Sequence, residues 1–373
     1  MKTHHCVCLF VFPAMDDLNS THFLATNQSD LSSPFTRLVL PPLYLLICVV
    51  GASLNGVAAW IFFRVPSDSG LVVYLKNMMV ADLLMLATFP FRVAAQLGVG
   101  GWRLHVVMCR YTAVLFYSSM YVGILFMGLI SLERYVKIVR QTSHSNATVA
   151  ASPSCRSRFG VGSLLHLLHS VGFARVLALL TWSFLLLCVL PNVVLTSRPA
   201  TEETSRDCMR LKTPLGVQWH SVSTFLSVSL FWVTLLVLAY CYTSIACRVY
   251  QSYRRVRRSS NNSSNEACRK SNRSIFSILA VFFVCFVPYH VCRVPYTLSQ
   301  MPAASGFGRD ARFLLFQLKE GTLFLSALNV CLDPVIYFLM CRTFKESLLR
   351  KLSGRDHRRR AGSLTTGQSL SHI

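Results

Sequence analysis

The 373-residue chain is 53% hydrophobic and carries 37 Lys and Arg against 15 Asp and Glu, a formal net charge of +22. Its mean hydropathy of +0.47 excludes an ordinary soluble domain. A nucleic-acid binder could share the pI of 9.8, but it would not carry several apolar runs of bilayer length. The basic residues cluster between those runs and at the C-terminus, so the charge is read as membrane topology.

In chain order, the opening MKTHHCVCLFVFPAM reads either as a short signal peptide or as residues upstream of a start at Met15. Asn19 and Asn27 head Asn-x-Ser/Thr triplets and are candidate glycosylation sites. Seven runs of spanning length follow: 38–63, 71–97, 111–132, 176–197, 219–247, 274–292 (extending to 300) and 313–341. Each is expected to be a helix, because lipid cannot satisfy exposed backbone groups. Residues 248–273 hold eight Lys and Arg against Glu266 alone, and the segment after 341 is also basic. Both are expected in the cytoplasm, which puts the N-terminus outside.

RTFKESLLRKL, 342–352, has its apolar residues on one face and reads as a short amphipathic eighth helix on the inner leaflet. The Ser/Thr-rich tail 353–373 reads as disordered. The expected organisation is an extracellular 1–35, a seven-transmembrane domain over 36–341, the short helix and the tail. Most of the 14 cysteines lie inside apolar runs, where a thiol behaves as a small hydrophobe. Of the others, only Cys6, Cys8, Cys109 and Cys208 lie on the far side from the basic loops.

Polar residues inside the runs need a reason, since an isolated charge at bilayer depth costs about 2.5–3.5 kcal/mol even on lenient scales. Asn55, Asp82, Asn329 and Asp333 are such residues. Facing one another across a bundle interior they can share hydrogen bonds, water or a cation, sodium being the candidate. Asp333 is followed by Pro334, which removes a backbone donor and weakens the helix. No nucleophile–base constellation and no phosphate-binding glycine pattern is present, so an enzyme is not expected and no cofactor is implied.

GASLN in the first run, VADLL in the second, Cys109 before the third, Glu133-Arg134-Tyr135 at its end, Trp182 in the fourth, CFVPYH with Pro288 in the sixth and LDPVIY in the seventh stand in order. Together they resemble a rhodopsin-like G-protein-coupled receptor over about 36–352. The resemblance implies an all-α seven-helix bundle in the plasma membrane, a Cys109–Cys208 disulfide and a heterotrimeric G protein of the inhibitory Gi/o class. It also implies arrestin and receptor kinases at the tail. It makes Glu133, Arg134, Tyr135, Tyr242, Pro288, Asp333, Pro334 and Tyr337 an activation switch, with Tyr337 able to swing toward Arg134 and Tyr242.

YLKNMMVADLLM, LKTPLGVQWH, HVCRVPYTLSQ and LKEGTLFLSALNVCLDP further resemble the nucleotide-receptor family, in the branch that recognises ADP and UDP-sugars and includes an orphan. Position by position, this implies a ligand face of Tyr117, Asn192, Lys212, His220, His290, Arg293, Tyr296, Gln300 and Lys319. Tyr121 is added as part of a stacking wall. Arg293 and Lys319, with Lys212 and Arg110 near them, suit a phosphate, because charge-assisted bonds contribute about 1.5–3 kcal/mol each. Basic residues at span ends also snorkel to the interface. A lysophospholipid receptor needs the same phosphate clamp, whereas a transporter would show internal repeats.

Departures from the family pattern are also legible. The outer loop MPAASGFGRDARF has no Cys, so a second bridge to the N-terminus cannot form there. Position 224 is Thr where ADP-binding relatives carry Asn. Gly123 stands where relatives offer a hydroxyl to the Asp82 site. Arg134 and Trp182 are 48 positions apart, so the second inner loop, about 140–172, is enlarged. His166 and His169 within it suit an interfacial amphipathic turn better than a metal pair.

Overall fold

The computed structural model describes residues 33–64, 66, 68–147, 170–206, 208–256, 277–300 and 307–350. Asn19, Asn27, Cys6, Cys8, His166, His169, most of the enlarged loop, most of the basic 248–273 segment and the tail lie outside them. The described residues form helices and connecting turns without a strand. Seven helices are long and apolar enough to cross a membrane: α1 (Phe35–Phe62), α2 (Gly70–Gln96), α3 (Gly101–Ile138), α4 (Val171–Val194), α5 (Pro214–Arg248), α6 (Ser277–Ser299) and α7 (Arg309–Met340). A short α8 follows at 342–350.

Two helices run well past the sequence expectation. Helix α3 begins at Gly101, not near 111, and its helical backbone continues to Ala147. Helix α5 continues to Val256. Charges limit the apolar runs but not the helices: Arg103, Arg110 and Arg248 stand on helix that projects past the apolar layer, where long basic side chains reach water.

Packing is inverted relative to a soluble protein. Leu179, Leu186, Leu187 and Leu190 of α4 are exposed, whereas Asn55, Asp82, Asn329 and Asp333 are at most 1% exposed. This follows when the surroundings are hydrocarbon and polar groups must find partners inside. Trp182 of α4 donates its indole N–H to Asn77 of α2 at 3.0 Å. Close approach of α1, α2 and α7 needs Gly51: a Cβ there would meet Leu86 at 2.8 Å and Val330 at 3.0 Å.

The proline in α7 has a local counterpart in α1. Pro334 has no N–H, so the carbonyl four residues back, on Val330, loses its helical donor. Asn55 of α1 supplies the replacement, its amide donating to Val330 O at 2.6 Å and to Gly51 O at 3.0 Å. In α6 the turn before Pro288 widens over Phe282–Phe286, and Ser326 of α7 donates to the Cys285 carbonyl at 2.9 Å.

Helix α8 is held by its apolar side. Phe344 is 3% exposed and packs on Phe62 and Tyr337. Arg342 and Glu346 pair on the exposed side.

Candidate functional site: a cationic pocket above a buried acid network

Cys109 at the start of α3 is bonded to Cys208 in the α4–α5 loop, with their Cα atoms 5.2 Å apart. The bridge pins that loop across one end of the bundle. At the same end, Arg293 of α6 is 8% exposed, Lys319 of α7 8% and Lys212 of the loop 6%. Charged side chains are almost never this buried without a partner.

Their partners differ. Arg293 lies 5.4 Å from the centre of the Tyr117 ring, with Tyr121, Tyr289 and Tyr296 in electrostatic range. Among the described residues, no carboxylate pairs with it. Lys212 donates to Asn192 Oδ1 at 3.5 Å, and the Asn192 amide donates to Cys188 O and Ser223 Oγ. Burial, together with the nearby Arg293 charge, pushes the Lys212 ammonium down to about 8. His220 lies within range of both cations. Lys319 is different: it bonds Glu320 at 2.5 Å and lies 5.3 Å from the Tyr296 ring centre.

Several sequence expectations change here. Lys319, expected as a free clamp, is already held by Glu320. Arg110, expected near the phosphate, instead donates its guanidinium to the Arg198 carbonyl at 2.6 Å and braces the loop. His290 is 0% exposed, with Nδ1 against Phe286 O at 2.8 Å and Nε2 against the Tyr121 hydroxyl at 3.1 Å. A carbonyl only accepts, so Nδ1 carries the proton and Nε2 accepts from Tyr121. The ring stacks on Phe231 at 3.7 Å and forms a floor beneath the pocket. Gln300 is exposed at the end of α6. Thr224 donates back to the His220 carbonyl.

Sequence reasoning gave no role to Arg92, Glu320 and Tyr289. Arg92 of α2 pairs with the second oxygen of Glu320 and lies over Tyr44 and Phe116. Tyr289 stacks on Tyr117. The available signal was a charged Lys-Glu pair inside an apolar run.

Below the floor lies the acid network. Tyr337 donates to Asp82 at 2.6 Å, and Asn329 donates to Asp333 at 3.5 Å. The Asp82 and Asp333 carboxyls lie in electrostatic range of each other. Asn55 Oδ1, Asn329 Oδ1 and Asp333 Oδ1 are buried without a hydrogen-bond partner. Unpaired acceptors of this kind fit a hard cation or a shared proton. A Cβ on Gly123 would come 3.8 Å from the Asn329 amide, so this is where the missing hydroxyl would enter.

At the opposite end, Glu133 is 4% exposed and Arg134 lies between it and Tyr242 in electrostatic range. The Tyr242 and Ser131 hydroxyls are 2.8 Å apart. The Tyr135 hydroxyl lies 3.5 Å from that of Tyr240. Tyr337 faces Asp82 in this structure rather than Arg134.

The profile of the 7 transmembrane receptor (rhodopsin family) matches residues 54–153 and 164–337. The chain belongs to that family. The unmatched 154–163 fall within the enlarged loop. The receptor is 43% identical to bovine purinoceptor 14 over 85% of its own length and 86% of that protein's. It is 40% identical to mouse G-protein coupled receptor 87 over 94% and 90%, and 36% identical to human purinoceptor 13 over 90% and 88%. It is a multi-pass plasma-membrane receptor and not an enzyme. Its partners are an extracellular small molecule and a G protein.

Proposed function

We propose that the receptor answers to an extracellular phosphate-bearing ligand, a nucleotide or nucleotide-sugar, and signals through inhibitory Gi/o proteins. In this reading its N-terminus and disulfide end face outward, which the Lys and Arg bias of 248–273 supports. The observation that carries the reading is Arg293, a nearly buried guanidinium with no carboxylate partner among the described residues. A phosphate supplies two oxygens to its planar fork, and Lys212 and His220 line the approach. Tyr117, Tyr121 and Tyr296 offer aromatic faces to a base, and Asn192 orients Lys212. Two of the relatives above are purinoceptors by name, which favours a nucleotide over a lysophospholipid.

In this reading the ligand draws α6 and α7 together over the His290 floor. Pro288 and Pro334 let those helices bend, and Arg134 then receives the G protein. Asp82, Asn55, Asn329 and Asp333 form the candidate sodium site. Arrestin and receptor kinases act on the Ser/Thr-rich tail. The test is an activation screen on Gi/o with ADP, UDP, UDP-sugars and lysophosphatidic acid. Response to lysophosphatidic acid alone overturns the nucleotide reading.

A further inference from the structure

Glu320 stands where the pocket's anion would stand. One of its oxygens takes Lys319, the other takes Arg92, and all three side chains are at most 16% exposed. Arg92 is fixed between Tyr44 of α1 and Phe116 of α3, and its Nε is buried without a partner. Lys319 and Arg92 thus share one carboxylate, and a two-oxygen anion of the protein's own already occupies Lys319.

We propose that Glu320 is an internal competitor for Lys319, and that a phosphate-bearing ligand binds by taking Lys319 away from it. This rests on the anion reading of the pocket. Arg92 is the positioning residue: it keeps Glu320 paired once Lys319 has left, so no carboxylate is stranded in a buried site. A weak or singly charged anion gains little over Glu320 and is rejected, whereas a diphosphate carries enough charge to displace it. The specificity comes from a group already in the site rather than from a better fit to the ligand. Exchange thus removes a contact within α7 and leaves the Glu320–Arg92 bridge between α7 and α2 in place.

The purified full-length receptor is to be titrated with inorganic pyrophosphate, read as thermal stabilisation. Glu320→Gln frees Lys319, and half-maximal stabilisation is expected at about tenfold lower pyrophosphate, one lost charge-assisted competitor. Lys319→Ala is expected to weaken binding more in the Glu320→Gln background than in the wild type, a coupling that a merely structural Glu320 would not give. Equal loss in both backgrounds, or weaker binding by Glu320→Gln, overturns the proposal. Should Glu320→Gln fail to fold, Glu320→Asp keeps the charge but loosens both contacts, and a smaller gain in the same direction is expected; no gain overturns it. If Arg293→Ala loses pyrophosphate binding while the Lys319–Glu320 coupling is absent, only this inference fails. If the wild type gives no response, or Arg293→Ala leaves the response unchanged, the anion reading fails with it.

Discussion

The molecule buries charge at two depths, and the two places are opposites. Towards the disulfide end, Arg92 and Lys319 share one carboxylate, Glu320, while the buried Lys212 and Arg293 have no carboxylate partner among the described residues. Midway along the bundle, Asp82 and Asp333 gather with Asn55 and Asn329 and no cation among the described residues. Between them lies an aromatic layer in which His290 stacks on Phe231, itself stacked on Phe282. Buried charge lacking a partner is destabilising by several kcal/mol, so neither cluster is explained by the fold alone. In the reading proposed above, the upper one takes an anion and the lower one a cation or proton. The neutral layer keeps the two from pairing by direct contact.

The largest effect should come from a residue in neither cluster. Arg134→Ala is expected to abolish G-protein activation while radioligand binding survives, since Arg134 lies at the far end from the pocket. Normal signalling by that variant would remove the separation of binding from output on which the comparison depends.

Within the upper cluster, Arg293→Ala should raise the agonist concentration for half-maximal response about ten- to more than hundred-fold, from about 1.5–3 kcal/mol. Arg293→Lys keeps the charge without the planar fork and should recover only part. Lys319→Ala should cost less than Arg293→Ala, because Lys319 gives up Glu320 to bind. Surface expression of all three should match wild type. Equal losses at both positions would mean that Glu320 does not discriminate between them.

The cluster's charge should also be visible in pH. The Lys212 ammonium is pushed down to about 8 by burial, so it is charged below that value and loses its charge as pH rises through it. Affinity for a phosphate-bearing agonist is therefore expected to hold near pH 7 and fall above 8, by up to about tenfold per pH unit. Lys212→Arg should flatten the profile, since a guanidinium stays charged. Binding measured from pH 6.5 to about 9 decides it.

The smallest change concerns the lower cluster. Tyr337→Phe removes the donor to Asp82, about 1 kcal/mol net. That corresponds to roughly a fivefold shift in the balance of states, read as raised basal nucleotide exchange with a gain in agonist affinity of up to about the same factor, since an agonist that favours the active state binds it more often. Unchanged basal exchange and unchanged affinity would mean that the Tyr337–Asp82 bond does not bias the balance of states.

The seven helices, their order and the disulfide were legible in sequence, because bilayer-length apolar runs and fixed motifs are local signals. The lower cluster was legible too: a carboxylate in an apolar run advertises itself. What escaped was pairing. Lys319 and Glu320 are neighbours in sequence, yet nothing local says that Glu320 also meets Arg92, 228 positions away. Likewise Arg110 turned to a loop carbonyl and His290 committed both nitrogens to the bundle. Which cations remain free depends on long-range contacts, and these decide where a ligand can bind. The start of α3 was missed for another reason: a charge marks the edge of the membrane, not the end of a helix.

The missing bridge between the N-terminus and the third outer loop has a counterpart in the contacts at the head of α1. Ser33 bonds Gln317 of α7 at 2.7 Å, and a Cβ on Gly321 would lie 3.5 Å from the Phe35 ring. A covalent strap would hold that corner shut at a fixed length through every conformational change. A hydrogen bond and a ring contact can break and re-form at a net cost of about 1 kcal/mol, and they do not respond to reductant. Among the described residues, the head of α1 is thus held to α7 by non-covalent contacts. Its one remaining described bridge, Cys109–Cys208, makes the opposite corner the fixed side on which the rest can swing.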